Sequence, residues 1–144
     1  MKNWLIAAMC VVLNIACADT KEVVIPRQAS VPNSDVYFIT PRDGTTVSNP
    51  VLIQFGLREM GVAPAGVIKE KTGHHHLLID TELPKDMSQP ILSDEHHKHF
   101  GGGQTETKLE LTPGKHTLQL LLGDYQHIPH NPPLVSDKIT VIVK

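Results

Sequence analysis

The chain has 144 residues, a formal charge of −2 with histidines neutral, and two cysteines, Cys10 and Cys17. That length is one domain's worth, enough to bury a core. Lys and Arg are not clustered as phosphate binding requires, which excludes nucleic acid as a partner.

The first residues read as an export signal. Lys2 supplies a positive charge, Trp4 to Leu13 is an unbroken apolar run, and Ala16-Cys17-Ala18 has the small-x-small pattern of a signal-peptidase site. Cleavage is expected before Asp19, so residues 1–18 are the signal and the product is periplasmic or secreted. The run is too short for a membrane anchor, which needs about 20 residues. A competing lipoprotein reading retains a lipidated Cys17, and only then would the chain meet a membrane. Such signals usually carry Leu three residues before the cysteine, where this chain has Asn14. With residues 1–18 removed no thiol remains, so disulfides and thiolate metal sites are excluded and the domain folds by apolar burial.

Residues 19–35 read as a leader strand or linker, with Val23-Val24-Ile25 its one apolar patch. A domain is expected over 36–144. Val36 to Ile39 is β-branched and aromatic, hence strand-like, and Pro41-Arg42-Asp43-Gly44 is turn chemistry. Val51, Ile53 and Phe55 alternate with Leu52 and Gln54, the period of a strand on a core. Gly61 to Lys71 reads as a connection. His74 to Asp80 is a further strand, with His75, Leu77 and Ile79 on one face and His74, His76, Leu78 and Asp80 on the other. Thr81 to Gln104 is a long excursion, more often functional than idle at that length.

Thr107 to Leu111 alternates, Thr112-Pro113-Gly114-Lys115 turns, and His116 to Leu122 alternates again. That register places His116 beside Leu118, Leu120 and Leu122, a core position. Asp124 to Pro133 is an irregular loop, and Ile139, Val141 and Val143 line one face of a last strand. No long amphipathic helix is evident. Short strands between Gly and Pro turns indicate an all-β, antiparallel, immunoglobulin-like β-sandwich with a long loop between its central strands. A small barrel is the alternative.

The nine histidines fall at 74–76, 96, 97, 99, 116, 127 and 130. Imidazole is the commonest protein metal ligand, and residues two apart on a strand project from one face. His74 and His76 form such a pair, and so do His97 and His99 if locally extended. With His127 they are the expected metal ligands, with His130 and Asp124 in reserve; Asp124 or Asp80 could instead orient a ligand. A nitrogen and oxygen donor set favours Cu(II), Zn(II) or Ni(II) over Cu(I). No HExxH or paired CxxC is present, and no nucleophile elbow surrounds Ser88, Ser93 or Ser136.

The segments GHHHLLID (73–80), HFGGGQTE (99–106) and PGKHTLQLLLGD (113–124) carry a resemblance to bacterial exported proteins grouped as domain of unknown function 4399. It runs from about Val36 to Lys144. PRDGTTVSNPVLIQFG (41–56) also looks like the opening strands of many bacterial immunoglobulin-like modules. The resemblance implies an exported β-domain and leaves function open. A weaker likeness is to copper–zinc superoxide dismutases, whose disulfide cysteines this chain lacks.

The expected function is that of an exported domain binding a divalent transition metal, copper or zinc, without catalysis of its own. One alternative is a metal-free module whose histidines support loops that contact an envelope protein. Another is a small metalloenzyme, with Glu95 or Asp124 as general base. Gly101-Gly102-Gly103 reads as a hinge rather than an anion cradle.

Overall fold

The computed structural model describes residues 26–144, so the expected export signal at 1–18 and Val23-Val24-Ile25 lie outside the described residues. Among the described residues the chain is all-β and contains no helix. Nine strands run in order: β1 (Asp35–Thr40), β2 (Thr45–Val47), β3 (Val51–Arg58), β4 (Gly61–Val62), β5 (Thr72–Ile79), β6 (His97–His99), β7 (Glu106–Leu109), β8 (Gly114–Gly123) and β9 (Ile139–Val143).

They form two sheets, neither closed into a barrel. One has the order β1-β3-β7; the other has β2-β9-β8-β5-β4, with β6 also paired to β5. Most pairs are antiparallel, as the alternating strands led one to expect. Two are parallel, β2 on β9 and β4 on β5, so the larger sheet is mixed. Both parallel partners are short. β2 arises because the chain turns at Pro41–Gly44 after pairing with β3 and crosses to the other sheet, where Gly44 N–H bonds the Thr140 carbonyl.

The inner faces of the two sheets share one core. Val36, Val51, Ile53 and Phe55 come from the smaller sheet, and Leu77, Ile79, Leu118, Leu120, Leu122, Ile139, Val141 and Val143 from the larger. The period-two positions of the sequence thus meet across the layers, as an alternating strand requires to bury its apolar face. His75 shares this interior and its ring lies 5.1 Å from that of Phe55.

Strand β5 is buried along its whole length, on both faces. Its inner face meets the smaller sheet. On its outer face Leu78 packs with Leu121 and Ile91 in a second, smaller cluster joined by Leu83, Met87 and Val135. The excursion 81–104 and the segment after β8 therefore roof the outer face of the larger sheet. This roof is what takes His74 and His76 out of water. Within the excursion, β6 is the strand, aligning His99 with His76 and His97 with Leu78.

Candidate metal centre

Four histidines from three separate segments converge where this roof meets β5. Ring nitrogens of His74, His76, His99 and His127 all lie within 4.8 Å of one another. His74 and His76 stand two apart on the outer face of β5, so the strand period brings their rings to a centroid separation of 4.8 Å. β6 supplies His99, whose ring stacks on His76 at 5.0 Å. His127 comes from the turn after β8. Its ring is 4.7 Å from that of His99, and its Nδ1 shares a 3.2 Å hydrogen bond with His74 Nε2.

The turn carrying His127 is built by Asp124. Its buried carboxylate Oδ1 accepts the Gln126 N–H at 2.8 Å and the Ile128 N–H at 3.0 Å, while its carbonyl accepts the His127 N–H. These bonds hold His127 at φ 66°, a left-handed conformation uncommon for a residue with a β-carbon. The Ile91 N–H bonds the His127 carbonyl, tying the turn to the excursion.

The four sites differ in exposure. His74 and His76 are buried, His127 is half-buried and His99 is exposed. Burial disfavours the charged form of an imidazole, and neighbouring imidazoles disfavour it further. Burial, reinforced by His127 and His99, lowers His74 to about 4. Burial with His74, His99 and His127 lowers His76 to about 2. His99 is lowered by burial and by His127. At neutral pH these rings are uncharged and keep a free lone pair, the state a metal requires. Nδ1 of His74 and Nδ1 of His76 are buried without a hydrogen-bond partner in the protein, an unusual condition for buried polar atoms.

Three other candidates lie apart from the quartet. His97 shares the face of His99 but stands opposite Leu78, one step further along β5, and its Nδ1 bonds Asp94 Oδ1 at 2.8 Å. His130 is fully buried and points Nε2 at the Thr72 carbonyl, 3.1 Å away. Arg27 in turn bonds the carbonyls of Pro129 and His130. Asp124 orders the His127 turn. The i, i+2 pattern that groups His74 with His76 gives no means of separating His97 from His99; only the register of β6 on β5 does that. Glycine is a signal for two of the ligands that histidine spacing does not give. The positions beside the rings of His99 and His76 are Gly101 and Gly123, where a β-carbon would collide with imidazole atoms.

His116 sits elsewhere. It is half-buried at the end of the β8 core row rather than inside it. Its Nδ1 donates to Asp80 Oδ2 at 2.6 Å, and its Nε2 donates to the Thr112 carbonyl at 2.8 Å. Asp80 and His116 line a cavity of about 300 Å³ with His96 and Glu95.

The family model for a domain of unknown function (DUF4399) matches residues 53–144. The chain belongs to this family. The matched span runs from within β3 to the C-terminal end of β9 and holds all nine histidines, so the quartet is built entirely from DUF4399 sequence. No curated protein and no solved structure matches the chain.

Proposed function

We propose that the protein binds one divalent transition-metal ion, Cu(II) or Zn(II), through His74, His76, His99 and His127. The observation that carries this reading is the convergence of four imidazole nitrogens from β5, β6 and the His127 turn within 4.8 Å. Nitrogens sharing an ion through bonds of about 2.0–2.1 Å lie roughly 3.3 Å apart in a tetrahedral site and roughly 2.8–4.2 Å apart in a square-planar one, so small ring rotations would close the set. Four neutral nitrogen donors suit copper, zinc or nickel and disfavour calcium, magnesium and manganese, which take oxygen.

The role is binding, delivery or sequestration of the metal, in the periplasm or outside the cell. The export signal at 1–18 supports that location. The exposed edge of the site at His99 supports exchange of the ion with a partner in the envelope. The architecture is read as an immunoglobulin-like sandwich: the first strand region divides between the sheets, β1 pairing β3 and β2 pairing β9, around a common core.

The test is a titration of the purified chain with Cu(II) and with Zn(II) at pH 7.5, followed by dialysis and metal quantification. One ion per chain, abolished by the His74→Ala, His76→Ala double variant while the melting transition persists, is the expected result. Weak, non-stoichiometric uptake would overturn the reading and leave the histidines as partners of one another, as His74 and His127 already are.

A further inference from the structure

Gly101, Gly102 and Gly103 are consecutive, yet they answer different demands. Gly103 has φ +80° and needs glycine for its backbone. Gly102 lies against the Gln104 amide, which accepts its N–H at 3.0 Å. Gly101 has no left-handed backbone to explain it. A β-carbon there would fall 2.3 Å from Cε1 and 2.6 Å from Nε2 of His99.

Gly123 repeats the pattern on β8, where it pairs with His74. Its backbone is also ordinary, and a β-carbon would fall 2.7 Å from Cε1 and 3.1 Å from Nδ1 of His76. Steric glycines do occur elsewhere in this fold: Gly56 makes room for the Tyr37 ring on the β1–β3 ladder. What distinguishes Gly101 and Gly123 is that each is occupied by the ring of a different quartet member.

We propose that Gly101 and Gly123 are positioning residues of the metal centre, their missing β-carbons shaping the space in which the His99 and His76 rings lie. This rests on the metal-binding reading of the quartet. The physical gain is pre-organisation. His99 is exposed and sits on a strand of three residues, so its ring would otherwise sample several rotamers. Lying against the Gly101 backbone restricts that freedom before the ion arrives, which lowers the entropy lost on binding. His76 is confined by burial, and there Gly123 decides whether the ring fits at all.

The experiment compares Zn(II) affinity, by competition with a chelating dye, in the wild-type chain, Gly101→Ala, Gly123→Ala and Gly61→Ala. Gly61 is the control, because its added β-carbon would make an ordinary 3.4 Å contact with Thr72. Gly101→Ala and Gly123→Ala should weaken binding about 10–100-fold, the usual effect of removing a residue that orients a ligand. Gly61→Ala should bind as wild type. Co(II) spectra should change in the two weakened variants.

The decisive arm is Gly101→Ala in a His99→Ala background. A residue acting through His99 has no further effect once the ring is gone, so the double variant should match His99→Ala alone. An equal loss in both backgrounds, or wild-type affinity in Gly101→Ala, overturns the proposal. Should Gly123→Ala fail to fold, the Gly101 arm stands alone, since Gly101 is only half-buried. A wild-type chain that takes up no stoichiometric Zn(II) or Cu(II) defeats the metal reading itself, a result distinct from full binding that ignores the glycines.

Discussion

Two imidazole environments at opposite ends of β5 push the pKa of the same side chain in opposite directions. Near its start, His74 and His76 lie under the loop roof with other imidazoles for company, and burial keeps them neutral. Beyond its end, His116 faces the Asp80 carboxylate on one side and a carbonyl on the other, both acceptors. Only an imidazolium can donate to both. Burial opposes its charge, but the Asp80 and Thr112 bonds outweigh burial and raise its pKa. The Thr117 N–H and the His116 bond hold the Asp80 carboxyl below its ordinary value against some burial. Abundance of histidine therefore says little by itself. What surrounds the ring decides whether it offers a lone pair or a charge.

The comparison breaks most sharply at the quartet. Replacing His74 and His76 together should cost at least about 100-fold in Cu(II) or Zn(II) affinity, since removal of even an orienting neighbour costs 10–100-fold. His116→Ala should leave that affinity unchanged. If His116→Ala weakens binding comparably, the two regions are one site and the contrast drawn between them fails.

Acid stability of the metal-free chain is the next largest effect. His75 is fully buried, neither ring nitrogen has a hydrogen-bond partner, and burial lowers it to about 4 despite opposing backbone groups of Gly56 and Gln104. Its unfolded pKa is about 6.5. Between those values the unfolded chain binds the extra proton, so stability is lost as pH falls from about 6.5 toward 4. For His75 alone the loss is about 3 kcal/mol over that window. Melting curves from pH 7.5 to 4.5 measure it, and His75→Leu should remove its share of the slope, leaving the shares of His74 and His76. The same variant should stabilise the fold at pH 7.5 by about 1–3 kcal/mol, the cost of leaving a buried polar group unpaired.

His116 has the opposite sign. A folded pKa raised above 6.5 means its contribution is complete below that value and is lost as pH rises through the raised one. His116→Ala should destabilise the chain by about 1–3 kcal/mol at pH 6. The lower half of that range is expected, because Asp80 is more than a third open to water. The deficit should shrink at pH 8.5; a deficit independent of pH would assign His116 a packing role only.

How much of this was readable beforehand follows from what each feature depends on. The core strands were legible because period two survives in Val51-Ile53-Phe55 and Ile139-Val141-Val143, whose alternate positions are buried. β2, β4 and β6 were not, because strands of two or three residues carry no period and exist only through their partners. The pairing of His74 with His76 was legible for the same reason as the core. The capture of His127 was not, since it depends on a turn that Asp124 folds through its side chain. His116 was misplaced into the core because alternation names a face of a strand and does not say where along the strand the core stops.

The smallest effect tests the register of β6. His97 lies on the ligand face, two residues from His99, and sequence spacing alone makes the two equivalent. In the fold, its Nδ1 is engaged by Asp94, whose Oδ1 also accepts the His96 and His97 N–H groups. It therefore closes the loop leading into β6 and stands two residue pairs beyond the quartet's His99–His76 pair. His97→Ala should change metal affinity by less than the roughly 10-fold threshold of an orienting residue. Its effect on the melting transition should come from the lost packing of a largely buried ring and the lost bond to Asp94. A large loss of affinity with stability intact would mean that β6 slides on β5 when metal binds, placing His97 where His99 now stands. A one-residue slip cannot do this, because it reverses the face of every side chain; the slide would have to be two residues, and it would carry His99 from its place opposite His76 to one opposite His74.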